Sequence, residues 1–224
     1  GDTVAVGGLS LDIPAGSFYG IVGPNGAGKT TTLSMATGLL APDRGTAFVH
    51  GIDLWSDPGE AKDLLGVMPD GMRLFDRLTG PDYLTHVGML RGLNADVARA
   101  RTDELLHALD LADAGKKIVA DYSAGMTKKI ALGAALVLGP KVVVLDEPFE
   151  SVDPVSSANI RQNLQGFVAA GGTVVLSSHV MATVQKLCDH LAVIDRGQVI
   201  SAGTLEQVAG GKDLEDRFAE LVGG

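Results

Sequence analysis

Gly23-Pro24-Asn25-Gly26-Ala27-Gly28-Lys29-Thr30-Thr31 sets the class of this chain. Phosphate groups need many donors at short range. Gly23, Gly26 and Gly28 let successive backbone N–H groups point inward without side-chain clash, and Asn25 and Ala27 complete the turn. Upstream, Phe18 to Val22 is a compact apolar run that reads as a strand; Lys29 to Leu40 reads as the helix that follows. Strand, glycine loop and helix, in that order, is the context a phosphate-binding loop requires. The helix start adds its positive dipole end. Lys29 is then placed to reach the β- and γ-phosphates as a point charge, and the Thr30 hydroxyl to ligate Mg²⁺. A chance glycine-rich turn would lack both flanks.

A second constellation lies far downstream, in Val142-Val143-Val144-Leu145-Asp146-Glu147-Pro148. Lys141 to Leu145 reads as a strand inside a parallel sheet, so the two acids emerge at its carboxyl end, where α/β folds place ligands. Consecutive strand side chains point opposite ways, which predicts different roles for the pair. Asp146 suits the shell of Mg²⁺, and Glu147 suits the polarising of an attacking water. Read alone, the pair could be an acidic turn solvating a strand end. The loop upstream argues against that.

The rest of the chain fits around these two motifs. Val4-Ala5-Val6 and Leu9 to Ile13 read as short strands, and Thr46 to His50 as another. From about residue 69 to 139 the character becomes helical, with Leu84 to Leu90 and Val97 to Leu111 at helical spacing. Thr173 to Ser177 and Leu191 to Ile194 read as further strands. The result is an α/β core with one helical lobe, within reach of a single core at 224 residues. Aromatic residues make up only 4%, so the core is built of aliphatic side chains. A net charge of -9, from 18 Lys and Arg against 27 Asp and Glu, argues against nucleic acid as the partner. One cysteine, Cys188, excludes an internal disulfide framework and a Cys-rich zinc site. No stretch reads as a transmembrane helix, and no secretory or lipidation motif is visible, so a cytoplasmic location is expected.

With these residues in place, the chain resembles the ATPase domain of ATP-binding cassette (ABC) transporters over nearly its whole length. Tyr122-Ser123-Ala124-Gly125-Met126 stands where that family carries its Leu-Ser-Gly-Gly-Gln signature, and this variant is similar to the form in bacterial export-type ATPases. Ser151-Val152-Asp153 resembles the loop after the catalytic Glu that talks across a dimer, and His179 resembles the switch histidine at the γ-phosphate. His50, His86, His107 and His190 carry no such context and read as surface or core residues. The resemblance implies a P-loop NTPase core with a mixed sheet flanked by helices, an N-terminal antiparallel β subdomain and an inserted α-helical lobe. A single domain would cover 1–224, with the core at about 1–68 and 140–224 and the lobe at about 69–139.

The resemblance also implies partners and cofactors. Two such domains, as a homodimer or heterodimer, would hold ATP and Mg²⁺ between them. One copy's Gly23 to Thr31 loop would face the other's Ser123, Gly125 and Asp153, with Glu147 and His179 as catalytic groups. A membrane-spanning permease subunit, or a fused membrane domain, would receive the work at the inner face of the membrane. The region Asp70 to Leu90 would dock it, with Gly71-Met72, Leu74-Phe75 and Leu78 as apolar surface. Three departures stand out. Ala124 and Met126 replace a Gly and a Gln of the signature, while Ser123 and Gly125 remain, so the contacts across the dimer are expected to survive. Asp70 occupies the place of a family Gln that contacts Mg²⁺, and as a hard-oxygen ligand it is expected to join Thr30 and Asp146 at the metal. The family's adenine-stacking aromatic falls at or just before Gly1, so that contact is expected to be lost. Two other readings remain: a soluble ABC-type ATPase acting on ribosomes or DNA, and a silent ATP-binding regulatory domain. The first usually carries two cassettes, a coiled-coil insertion or zinc cysteines, none of which is present. The second is opposed by the intact Lys29, Asp146, Glu147 and His179.

Overall fold

Strand alternation organises the molecule, a computed structural model that describes residues 4–223. All five residues of β1 (Phe18–Val22) are buried, yet Phe18 and Val22 join one apolar cluster while Tyr19 and Ile21 join another. A strand covered on both faces feeds two cores with alternate side chains. After α1 (Lys29–Ala36) come β2 (Phe48–Val49), β3 (Ile52–Asp53), α2 (Pro58–Asp63) and β4 (Leu65–Met68). The helical lobe holds α3 (Gly80–Leu90), α4 (Ala95–Ala108) and α5 (Ala124–Leu136). The chain then alternates through β5 (Val142–Leu145), α6 (Pro154–Ala169), β6 (Thr173–Ser178), α7 (Met181–Leu187) and β7 (His190–Asp195). It finishes with β8 (Gln198–Thr204), α8 (Leu205–Ala209) and α9 (Leu214–Val222).

The main sheet has six strands in the order β4-β5-β6-β1-β7-β8. All neighbours are parallel except β8, which runs antiparallel to β7, so the sheet is mixed as expected. Val143, Leu145, Val174, Leu176, Leu191 and Val193 face the same cluster as Phe18. Val144, Val175, Ala192 and Ile194 face the other. The lobe is not a separate body: Leu84, Leu106, Leu109 and Ile130 belong to the cluster of Val143 and Leu145. Side chains fix the helix starts. Thr79, Asn94, Ser123 and Asp153 each accept a hydrogen bond from a first-turn N–H of α3, α4, α5 and α6, caps of about 1 kcal/mol each.

Several sequence expectations need correction. Neither Val4-Ala5-Val6 nor Leu9 to Ile13 forms a strand. Leu9 and Leu11 instead pack their side chains against the second cluster, and Gly7 donates its N–H to the Gly197 carbonyl at 3.1 Å. In the N-terminal part, the antiparallel ladder is the β2–β3 pair, whose turn at His50 and Gly51 has positive φ at both residues. Thr46 to His50 therefore contributes a two-residue strand rather than a longer one. Helix α1 stops at Ala36, four residues short of Leu40; the Thr37 hydroxyl bonds back to the Leu33 carbonyl and Gly38 turns left-handed. The adenine-stacking position, expected at or before Gly1, lies outside the described residues. Cys188 is buried, and its thiol is pushed up to about 12 first by that burial and then by Asp189, so it is inert. Among the described residues no helix is long and apolar enough to cross a membrane.

One close approach locks the lobe to the sheet. A Cβ at Gly66 of β4 would overlap the Ala135 carbonyl oxygen of α5. Because the obstacle is backbone, no side-chain rotation relieves it. Gly66→Ala should cost about 1–3 kcal/mol of stability, read as a lower urea midpoint; an unchanged midpoint would contradict this packing.

Candidate functional site

The glycine loop leaves β1 flush against β7, because a Cβ at Gly23 would overlap the Ile194 carbonyl oxygen. Gly26 (φ 81°) and Gly28 (φ 99°) take left-handed conformations that a side chain would strain. The loop closes on itself through Ala27 N–H to Pro24 O at 3.1 Å, and Gly197 N–H holds the Ala27 carbonyl at 2.9 Å. Lys29 is only 7% exposed, and its Nζ donates to Gly23 O at 2.7 Å and Pro24 O at 3.2 Å. The ammonium is thus curled over the loop. Helix α1 begins without a side-chain cap, which leaves its first-turn N–H groups for an anion. Thr30 is exposed and Thr31 half-buried beside it.

Across the sheet, β5 delivers Asp146 and Glu147. Asp146 is 3% exposed, its N–H bonded to Met68 O at 2.9 Å. Ser177 of β6 joins the two acids: its hydroxyl donates to Asp146 Oδ1 and accepts from the Glu147 N–H at 2.9 Å. Glu147 lies past the last residue of β5 with φ of +46°, a conformation rare for a residue with a side chain. The different settings of the two carboxylates therefore come from a left-handed turn, not from strand alternation as the sequence suggested. The Glu147 carbonyl accepts from Lys128 Nζ at 3.0 Å, and its Oε1 lies 3.0 Å from His179 Nδ1. His179 follows β6 and is half-exposed. A cleft of about 430 Å³ opens beside them, lined by Glu147, Phe149, Ser151, Arg161, His179 and Lys186.

The remaining sequence-assigned residues lie on the lobe side. Ser123 caps α5, accepting from the Met126 N–H at 3.3 Å, and is exposed. Gly125 is buried because α5 starts against α6: a Cβ there would overlap Ser156 Oγ and sit 2.5 Å from Asp153 Oδ2. The Asp153 carboxylate accepts from Val155 N–H at 3.1 Å and Ser156 N–H at 2.9 Å, and these bonds, Ser156's first, hold its carboxyl below the usual range. Asp153 is thus a helix cap, and the Asp153-Pro154 pair was its sequence signal. Asp70 follows β4, half-exposed, with its Oδ1 3.7 Å from Lys128 Nζ. Among the described residues no hydrogen bond joins Ser123, Gly125 or Asp153 to the Gly23 to Thr31 loop. The structure therefore gathers the loop, Asp146, Glu147 and His179 at the strand ends and leaves the Ser123 corner apart.

Two participants were missed in the sequence. Ser177 was visible only as the penultimate residue of its strand, and Lys128 only as one of a Lys128-Lys129 pair on α5. Periodicity marks neither, because each acts on residues distant in the chain.

A glycine loop at a β1–α1 junction with two acids at the end of β5 defines a P-loop nucleotide-binding ATPase fold. The ABC transporter family matches residues 6–150. The chain is 40% identical over 202 residues to the daunorubicin/doxorubicin resistance ATP-binding protein DrrA of Streptomyces peucetius, covering 90% of this chain and 61% of that protein. It is 38% identical over 213 residues to the ABC transporter ATP-binding protein NatA of Bacillus subtilis, covering 95% and 87% respectively. A solved ATP-binding subunit of an ABC transporter superposes with a TM-score of 0.88 at 27% identity, over 97% of this chain and 92% of that one. The chain belongs to the ABC transporter family as an ATP-binding ATPase domain. It spans 61–66% of the length of three drug-resistance relatives.

Ser177→Ala removes the donor to Asp146 and the acceptor of the Glu147 N–H together. It is expected to cut phosphate release by about tenfold or more while costing about 1–3 kcal/mol of stability. A variant that hydrolyses ATP at the normal rate would remove Ser177 from the site.

Proposed function

We propose that this domain hydrolyses ATP to power export through a membrane partner, by closing and reopening a dimer of cassettes. The observation that carries this reading is the division of the site. Lys29, Asp146, Glu147 and His179 lie at the strand ends, whereas exposed Ser123 at the start of α5 caps its own helix and bonds to none of them among the described residues. A second copy, packed head to tail, would bring that capped helix start to the phosphates. The partner copy could be identical or a related cassette.

The residues fit Mg²⁺-ATP. Thr30 offers an exposed hydroxyl, and Asp146 a buried carboxylate whose Oδ2 accepts no protein hydrogen bond among the described residues. These are the hard oxygens Mg²⁺ prefers, and Asp70 would add a third on the lobe side. Among the described residues no cluster of three His, Cys, Asp or Glu could hold a metal alone, so phosphate oxygens would complete the shell. When bound, the ion neutralises charge on the β- and γ-phosphates. Lys29 and the α1 N–H groups would bind those phosphates, with Gly26 and Gly28 allowing close approach. Glu147 would take a proton from water as its oxygen attacks the γ-phosphorus, and the bond to the bridging oxygen breaks with ADP as leaving group. His179 would orient the Glu147 carboxylate.

The membrane contact is proposed on the lobe, after β4. Of the apolar residues assigned there, Met72, Leu74 and Leu78 pack partly against the main cluster, which leaves Phe75 as the exposed one. Phe75 is 52% exposed and meets His86 edge-on at 5.8 Å, a rigid platform for a short helix. The name of DrrA, a drug-resistance protein, supports outward transport. This placement would put the domain at the inner face of the membrane through its permease.

Glu147→Gln should keep ATP binding and lose nearly all hydrolysis. On a sizing column with Mg²⁺-ATP it is expected to run as a dimer, and without nucleotide as a monomer. Normal turnover in that variant would remove the assigned base.

A further inference from the structure

The catalytic Glu147 peptide is held from three sides, and one of those holds comes from the lobe. Its N–H goes to Ser177 and its carboxylate to His179, both at the end of β6. Its carbonyl goes to Lys128, which stands on α5 five residues after Ser123. Lys128 is only 21% exposed at its side chain, so its charge needs a nearby counter-charge. Asp70, on the turn after β4, provides one at 3.7 Å. Gln at that position, as in the family pattern, would leave the ammonium without one.

We propose that Lys128 is a positioning residue for hydrolysis: its ammonium, balanced by Asp70, holds the Glu147 peptide in its left-handed turn and ties the general base to the signature helix. The proposal rests on Glu147 being that base. A peptide at φ +46° relaxes unless its surroundings fix it, and rotation of the Glu147 carbonyl would swing the carboxylate away from His179. Because Ser123 and Lys128 share α5, a displacement of that helix when Ser123 engages nucleotide moves the Glu147 anchor with it. Asp70 then serves as the electrostatic partner that keeps Lys128 in place. Lys129, the neighbouring residue, is buried and points elsewhere, 3.5 Å from Asp110, so the two lysines are not interchangeable.

The test compares wild type, Lys128→Met, Lys128→Arg, Asp70→Asn and Glu147→Gln in the full chain, reading kcat and KM for ATP hydrolysis, affinity for a fluorescent ATP analogue, and the thermal midpoint. Lys128→Met is expected to lower kcat about tenfold or more while KM and affinity stay within about threefold. Arginine can donate to the same carbonyl and pair with Asp70, so Lys128→Arg should recover most of the rate. Asp70→Asn, read at saturating Mg²⁺ so that its loss as a metal ligand is offset, should lower kcat by a smaller factor, and its effect should shrink in the Lys128→Met background. A Lys128→Met kcat within about twofold of wild type overturns the proposal. So does equal loss in the Met and Arg variants. Should Lys128→Met fold too poorly to read, the Asp70→Asn arm decides at saturating Mg²⁺, where a lost metal ligand is compensated, and an unchanged rate there overturns the proposal. If wild type and Glu147→Gln hydrolyse equally, the base assignment itself fails, a result separate from any of these.

Discussion

The parallel register of β5, β6 and β1 is the constraint on which the rest depends. Leu145 pairs with Leu176 and Val22 with Ser178, so Asp146 emerges level with Ser177, and Gly23 level with His179. Three chain segments far apart in sequence thereby reach one edge, where Ser177 and His179 bond to Asp146 and Glu147. The same register sorts Val143, Leu145, Val174 and Leu176 to one core and Val144 and Val175 to the other. A slip of one residue would move each set to the wrong face and separate Asp146 from Ser177. Burial and the geometry of the candidate site are therefore enforced by the same pairing.

From that edge, contacts run outward to the lobe. Lys128 joins Glu147 to α5, and the tight approach of Gly125 to Asp153 and Ser156 joins the start of α5 to the start of α6. Asn159 and Asn163 of α6 both donate to the Ala108 carbonyl at the end of α4. The loop after Glu147, where Ser151 is also left-handed, lies between these anchors. A movement of the lobe is thus met by the strand end that carries Asp146 and Glu147 at several points rather than through one flexible link. The ATPase and the proposed membrane contact near Phe75 share this framework.

Much of the site was legible because its signals are local. The glycine loop, the apolar run before Asp146 and the Ser123 helix start depend on residues adjacent in the chain, and the structure places each at the element end foreseen. Strand β8 gave no such sign, because its alternating exposure is not matched by polarity: Ile200 and Ala202 face outward while Ser201 is half-buried. Val4 to Ile13 misled because alternation alone does not supply a neighbouring strand; the segment packs Leu9 and Leu11 inward without a ladder. The partners of Asp70 and Glu147 were invisible for another reason. Lys128 and Ser177 reach them only after three strands and α5 have assembled, and nothing in the linear sequence measures those distances.

The central claim is that a triphosphate sits between the loop of one protomer and the α5 start of the other. Asn25 and Ala124, both exposed, mark those two surfaces, and buried Cys188 leaves the chain free of a competing reactive thiol. The direct measurement is disulfide trapping in a mixture of Asn25→Cys and Ala124→Cys proteins. The account predicts a cross-linked pair of chains with ATP and little without it. Cross-linking that is absent with ATP, or equal with and without it, would contradict the account.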